Sequence, residues 1–200
     1  MRVSKEKAAQ NRERILKSAA RLFREQGIGA TGVDSITDDA GLTHGGLYSQ
    51  FGSKEAIAAE AIRFALTRSM RVWRRALERH PGKRALPAIV EGYLSQAHRD
   101  SPGTGCVVAA LGSDIARQPH RVRQAFTKEV KDDLEFLSRL MPDGGRVRRY
   151  EDAIVAFASM AGALILARAV NDGALSDFIL KSTARRVIKR DRVRDSARHS

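Results

Sequence analysis

The stretch Thr31–Glu55, TGVDSITDDAGLTHGGLYSQFGSKE, decides the reading of this chain. It has the grammar of two short helices joined by a glycine turn. In the first, about Val33 to Ala40, Val33, Ile36 and Ala40 point inward at helical spacing, while Asp34, Asp38 and Asp39 keep the outer side wet. Gly41 supplies the sharp turn, Leu42 caps the core, and Thr43 stands as N-cap of the next helix, about His44 to Gln50, with Leu47 as its anchor. This second helix carries small and polar residues in place of another apolar face. Such a helix holds to a core on one side and offers the other to a DNA major groove, which is wide enough to admit it.

Working outward, a helix is predicted from about Lys5 to Gln26. Ile15, Leu16, Ala19, Leu22 and Phe23 form its apolar stripe, and Gly27 and Gly29 end it. Its opposite face carries Arg12, Arg14, Lys17, Arg21 and Arg24, which could meet DNA or simply be solvated. After the reading helix, Ser53 is an N-cap and Glu55 lies in the favourable first turn of a helix running to about His80. Five more helices are expected: about Lys83–Arg99, Cys106–Gln118, His120–Leu140, Val147–Val170 and Leu175–Ile188. The breakers between them are His80-Pro81-Gly82, Ser101 to Gly105, Pro119, Pro142 to Gly145 and Asn171-Asp172-Gly173. The Arg-rich end is expected to fray.

The composition of the 200 residues agrees. Proline is scarce, β-branched clusters are rare, and Ala, Leu, Arg and Glu are plentiful, which favours helix throughout. The formal charge of +13 fits a polyanionic partner but does not by itself establish one. The single cysteine, Cys106, excludes an internal disulfide; no C-x-x-C or H-E-x-x-H spacing points to a metal, and no cofactor is expected. The opening MRVSKEKAAQNRERIL lacks the apolar run of a signal peptide. The greasy stretch Ala153–Val170 is interrupted by Ser159, Gly162 and Arg168, and reads as a buried or interface helix rather than a membrane span. A soluble, cytoplasmic protein with no membrane partner is the expectation.

Several spaced positions resemble the TetR family of transcriptional regulators: Thr31, Val33, Ile36, Ala40-Gly41-Leu42, Gly45, Leu47-Tyr48, Phe51 and Ser53-Lys54-Glu55. They match a T-x-V-x-x-I core, an A-G turn, a G-x-L-Y recognition helix and an F-x-S-K-E junction. Two positions depart from the commoner pattern: Gly46 stands where Thr or Ser is frequent, and Gln50 where His or Tyr is frequent. The segment Gly105–Ser113 looks like one found in a branch of the family. The resemblance implies an all-α chain, with a three-helix helix-turn-helix DNA-binding domain over 1–52 and a helical effector-binding and dimerisation domain over 53–190. A basic, disordered tail over 191–200 completes the expectation.

The residues expected to meet double-stranded DNA are Thr31, Thr43, His44, Gly45, Gly46, Tyr48, Ser49, Gln50 and Lys54. Gly45 and Gly46 let backbone approach closely, and the helix N-terminus offers N–H groups to phosphate. Thr43 and Tyr48 can donate hydroxyl hydrogen bonds to phosphate, although the Tyr48 ring could instead only pack. Lys54 can hold the flanking backbone, and His44, Ser49 and Gln50 can reach base edges.

In the body, the resemblance implies an effector pocket, with Phe64, Trp73, Tyr93, Cys106, Ala110, Phe126 and Phe157 as candidate lining residues for a small, mostly apolar molecule. It also implies a homodimer paired through the last two helices. Ala153, Ile154, Phe157, Met160, Ala161, Leu164 and Ile165 give one of these an apolar face, and Leu175, Phe178, Ile179 and Ile188 give the other a stripe. The chain thus reads as a ligand-responsive repressor of a palindromic operator. The alternative is a redox or electrophile sensor using Cys106 on the same scaffold, because a helix start can lower a thiol pKa. An enzyme built on Cys106 with His80, His98 or His120 lacks a third orienting residue in the sequence.

Overall fold

A computed structural model of the protein describes residues 5–142 and 144–196, with side chains described as far as Lys189. Among the described residues the regular structure is entirely helical: α1 (Lys5–Gln26), α2 (Val33–Ala40), α3 (His44–Phe51), α4 (Lys54–Arg79), α5 (Ala85–Tyr93), α6 (Gln96–Arg99), α7 (Val107–Ile115), α8 (His120–Ser138), α9 (Arg146–Ala169) and α10 (Gly173–Ser196). Short 3-10 turns lie at Gly82–Arg84 and Pro102–Thr104.

Several expected boundaries change. The helix expected over Lys83–Arg99 is broken into a 3-10 turn, α5 and α6. At the break Ser95 takes extended dihedrals, and its hydroxyl oxygen accepts from the His98 N–H, restarting the helix as an N-cap. Next, α7 spans only Val107–Ile115 of the expected Cys106–Gln118, with Cys106 outside it at the N-cap position. Finally, α10 continues to Ser196, well beyond Ile188 and into the segment expected to be a disordered tail. No glycine or proline follows Gly173, and polar Arg and Lys are good helix formers, so polarity alone does not stop a helix. The rest of that segment, 197–200, lies outside the described residues.

The chain packs as two compact units. The first ends at Arg68 and also takes in Pro102–Glu129; the second comprises Ser69–Ser101 and the chain from Val130 onward. The first unit therefore combines the expected DNA-binding helices with the first part of α4, α7 and the start of α8. Its core joins Ile15, Ala19 and Phe23 of α1, Ile36 of α2, Leu47 of α3, Ile57 and Ile62 of α4, and Val107, Leu111 and Ile115 of α7. Each fully buried Leu, Ile or Phe contributes about 1.5–3 kcal/mol by leaving water. Two polar contacts tie the later segment to the α1–α2 corner. Asp114 Oδ2 accepts from the Ile28 N–H at 2.6 Å, and Arg24 Nε donates to the Gly103 carbonyl at 2.9 Å.

In the second unit Trp73 is the hub of an aromatic cluster. Phe157 meets it edge-on at 5.8 Å, Phe136 stacks at 6.2 Å, and Tyr93 lies at 6.5 Å. Met160 and Leu164 of α9 and Leu180 of α10 are buried. A polar clasp complements this core: Arg99 donates to Asp177 and to the Ser176 hydroxyl, Arg168 donates to the carbonyls of His98 and Arg99, and Ser176 donates to the Ala167 carbonyl. Burial, reinforced by the positive charge of Arg168, holds His98 below the usual imidazole pKa, against the opposing effect of its hydrogen bond to Tyr93. Among the described residues α9 is the one helix long and apolar enough to cross a bilayer. Ala153, Phe157, Met160, Ala161 and Leu164 are nonetheless buried in the unit's core, as expected of a core helix.

Candidate nucleic-acid interface

The turn that sets α3 against α2 is built from backbone. Gly41 adopts φ 60° and ψ 45°, a left-handed conformation that favours glycine, and its N–H bonds the Asp38 carbonyl at 3.0 Å. The following Leu42 N–H reaches the Thr37 carbonyl at 2.9 Å, closing the helix end. Leu47 is buried in the core, so the far side of α3 turns outward, and Thr43, His44, Gly45, Tyr48 and Ser49 are exposed. Tyr48 has 44% of its surface exposed. Gly46, Gln50 and Lys54 are half-buried at the edge of this surface.

Individual side chains are partly committed. His44 Nδ1 pairs with Asp34 Oδ1 at 2.5 Å, and the His44 ring stacks on Tyr48 with centroids 5.4 Å apart. Ser49 Oγ donates to the Gly46 carbonyl at 3.0 Å. Lys54 Nζ donates to the Gly29 carbonyl at 3.2 Å, which leaves further ammonium hydrogens for another acceptor. Gln50 Oε1 is buried without a hydrogen-bond partner, so this side chain points partly inward. Thr43 occupies the N-cap position of α3, but its hydroxyl makes no capping bond; Ser53 does cap α4, accepting from the Ala56 N–H at 3.1 Å.

Thr31 is the correction to the expected contact set. It is 0% exposed, its hydroxyl donates to the Gly27 carbonyl at 2.7 Å, and its own N–H bonds the same carbonyl. It pins the α1–α2 corner from inside and presents no side-chain surface to a partner. Gly32, one residue later, holds the N-cap position of α2.

The basic face of α1 is largely engaged within its own unit. Arg12 donates to the Gln50 carbonyl at 3.0 Å and to Glu60, while its guanidinium lies 4.2 Å from the centre of the Phe51 ring. One side chain of α1 thereby touches the end of α3 and a side chain of α4. Arg21 pairs with Glu25 and with Asp39, Arg14 with the Gly41 carbonyl, and Arg24 with Gly103. A hydrogen bond from Ser18, assisted by Arg21, holds the Asp39 carboxyl below its usual pKa against the cost of desolvation. Sequence reading missed the Arg12 clamp and the Asp34–His44 pair. Arg12 and Glu60 are 48 positions apart, and neither carries a local signal.

The residues expected to line a pocket are divided between the units. Phe64, Cys106, Ala110 and Phe126 lie in the first, where Phe64, Ala110 and Phe126 are partly buried against its core. Trp73, Tyr93 and Phe157 lie in the second, inside the aromatic cluster. A separate groove of about 540 Å³ in the second unit is lined mainly by α9 and α10, including Val155, Ser159, Gly162, Leu166, Ile179 and Thr183.

Comparison with known proteins places this geometry. Residues 15–61 match the family described as bacterial regulatory proteins, tetR family. Beyond that segment, the chain is similar to the uncharacterized HTH-type transcriptional regulator Rv0196 of Mycobacterium tuberculosis, with 30% identity over 169 residues, 80% of this chain and 86% of the relative. The chain belongs to the tetR family. This tetR-family protein is also similar, with 42% identity over 55 residues, to the HTH-type transcriptional repressor KstR2 of Mycolicibacterium smegmatis, across 28% of this chain and 27% of that one. Solved structures share its fold. Reduced NemR of E. coli matches with TM-score 0.76 and 20% identity over 88% of this chain and 94% of that one. A TetR-family regulator of Agrobacterium tumefaciens matches with TM-score 0.77 and 18% identity over 92% and 98%. The tetR-family protein is thus a helix-turn-helix DNA-binding regulator of transcription and not an enzyme.

Proposed function

We propose that the protein is a cytoplasmic, homodimeric repressor that holds a palindromic operator and releases it when a small molecule binds the body. The carrying observation is the apolar surface left on the last two helices. Ile154, Val155, Ile165 and Leu166 of α9, with Leu175 and Phe178 of α10, are large and exposed. Small residues of α9 beside them, Ala158, Ser159 and Gly162, line the adjoining groove, and small side chains let a facing helix come close. A surface of this kind is costly in water and is relieved by self-pairing. A two-fold dimer would present two copies of α3 to half-sites about 34–36 Å apart. The repressor sense is supported by the name of the KstR2 relative. Footprinting on genomic fragments, combined with sedimentation, tests the reading; a monomer that protects no inverted repeat at any salt concentration overturns it. Equal affinity for random and selected duplex would instead mark a nonspecific DNA-coating protein.

On this reading the DNA-facing set is Thr43, His44, Gly45, Gly46, Tyr48, Ser49, Gln50 and Lys54. Lys54→Ala is expected to weaken all duplexes alike and to lower the slope of log affinity against log salt by about one. Titrations at several salt concentrations check this. A loss confined to one operator position would contradict the phosphate role.

The effector acts through the difference between its affinities for the DNA-binding and released states. An apolar molecule suits the aromatic surroundings of Trp73, Tyr93 and Phe157. The thiol reading has one supporting feature, the placement of Cys106 in the same unit as α3, just ahead of α7. Its 6% exposure favours packing. Operator binding by the wild type and by Cys106→Ser is therefore expected to be equally insensitive to hydrogen peroxide. Peroxide-driven release that disappears in Cys106→Ser would establish the thiol switch.

A further inference from the structure

The outward face of α3 carries an acidic neighbour that a DNA-binding surface would ordinarily avoid. Asp34, in the first turn of α2, has a side chain 81% exposed. A carboxylate in that position repels phosphate. It is nevertheless engaged: its Oδ1 lies 2.5 Å from Nδ1 of His44, the first residue of α3. On the other side the imidazole stacks on Tyr48, one helical turn further along, with the rings inclined at 25°. The ring thus has a neighbour on each side, while 49% of the His44 side chain stays open to a partner.

The pairing has a chemical consequence. A carboxylate accepts hydrogen bonds and does not donate them, so Nδ1 must carry the proton. The Nε2 edge, opposite Asp34, accepts in the neutral ring and donates in the imidazolium. The major groove can answer either, with the exocyclic amines of adenine and cytosine or the acceptors of guanine and thymine. We propose that Asp34 is a specificity-determining positioning residue, which fixes the His44 ring so that its Nε2 edge reads a base edge while its own charge penalises nonspecific phosphate contact. Discrimination is a difference between two affinities, and this carboxylate acts on both. The proposal rests on the operator-binding reading given above.

The test uses the full chain and an operator recovered by selection from random duplexes. Affinities are measured for wild type, Asp34→Ala, Asp34→Asn, His44→Ala and the double variant Asp34→Ala/His44→Ala. Each is titrated with the operator, with a series of single base-pair inversions, each of which exchanges the donors and acceptors of that pair across the groove, and with a random duplex. Asp34→Ala is expected to tighten random-duplex binding several-fold and to flatten discrimination about fivefold or more at the position His44 reads, on the scale of a lost base contact. In the His44→Ala background the same substitution should cost no further discrimination. Asp34→Asn, which retains an acceptor without the charge, should keep more of the discrimination while still tightening random-duplex binding. Additive losses in the double variant, or unchanged discrimination in Asp34→Ala, overturn the proposal. A wild type with no preferred operator defeats the underlying reading instead, so the two failures are distinct.

Discussion

Phe178→Glu is expected to yield a folded monomer that has lost operator binding by about a hundredfold or more, the scale of avidity that linking two reading heads supplies. Phe178 lies on α10 with 63% of its surface exposed, alongside exposed Leu175, and Ile165 and Leu166 are exposed on α9. Burying a phenylalanine contributes about 1.5–3 kcal/mol, and two-fold symmetry counts each residue twice. A glutamate there gains nothing from burial and would have to shed its hydration without a partner. In the unpaired protein the substitution is mild, because the side chain already faces water; helicity and melting of the separated subunit should change little. Sedimentation velocity measures the assembly, and titration of a full operator against an isolated half-site measures the linkage. Half-site affinity should be preserved, because α3 lies in the other compact unit. A variant that stays dimeric, or one that keeps full operator affinity as a monomer, would defeat pairing through α9 and α10.

The second large effect is expected at Gly45 and Gly46, where stability and binding should move in opposite directions. A Cβ placed on Gly45 would meet nothing within 4 Å, and one on Gly46 would lie 3.6 Å from the Thr43 hydroxyl, an ordinary contact. Neither residue has a positive φ. The isolated protein therefore gives no reason for glycine at either position, and glycine in a helix costs roughly 0.5–1 kcal/mol relative to alanine. Gly45→Ala and Gly46→Ala should each raise the melting temperature. If the space is reserved for a duplex, operator affinity should fall at the same time, most severely for the bulkier Gly46→Val, by about tenfold or more, the equivalent of 1.4 kcal/mol. Thermal melts paired with operator titrations decide the matter. Full operator affinity in Gly46→Val would show that DNA does not approach this part of α3. Gly41 provides the contrast: its left-handed φ demands glycine from within the fold, so alanine there should destabilise the protein.

The helix-turn-helix was legible because its signals are local. The ends of α1 and α2 fall where periodicity, Gly27 and Gly41 place them, and α3 extends only one residue further, to Phe51. In the body the same kind of reading overran. It carried one helix across Leu94 and Ser95, because a serine cap inside a helix-favouring run resembles any other serine until its oxygen is seen on the His98 N–H. Thr31, expected among the DNA contacts, is folded under the α1–α2 corner, and the N-cap position falls to Gly32.

Backbone chemistry and helical periodicity, both written in neighbouring residues, determined that this chain is helical and that a glycine turn sets a polar reading helix upon a core. Which polar side chains remain available to a partner was decided only in three dimensions. Arg12, Arg21 and Arg24 look alike in the sequence, and each is occupied by groups far along the chain; Asp34 looks like a solvated acid until His44 is found beside it. Hydrogen bonds and ion pairs act over a few ångströms of space, whatever the separation in sequence, so only the folded chain assigns their partners.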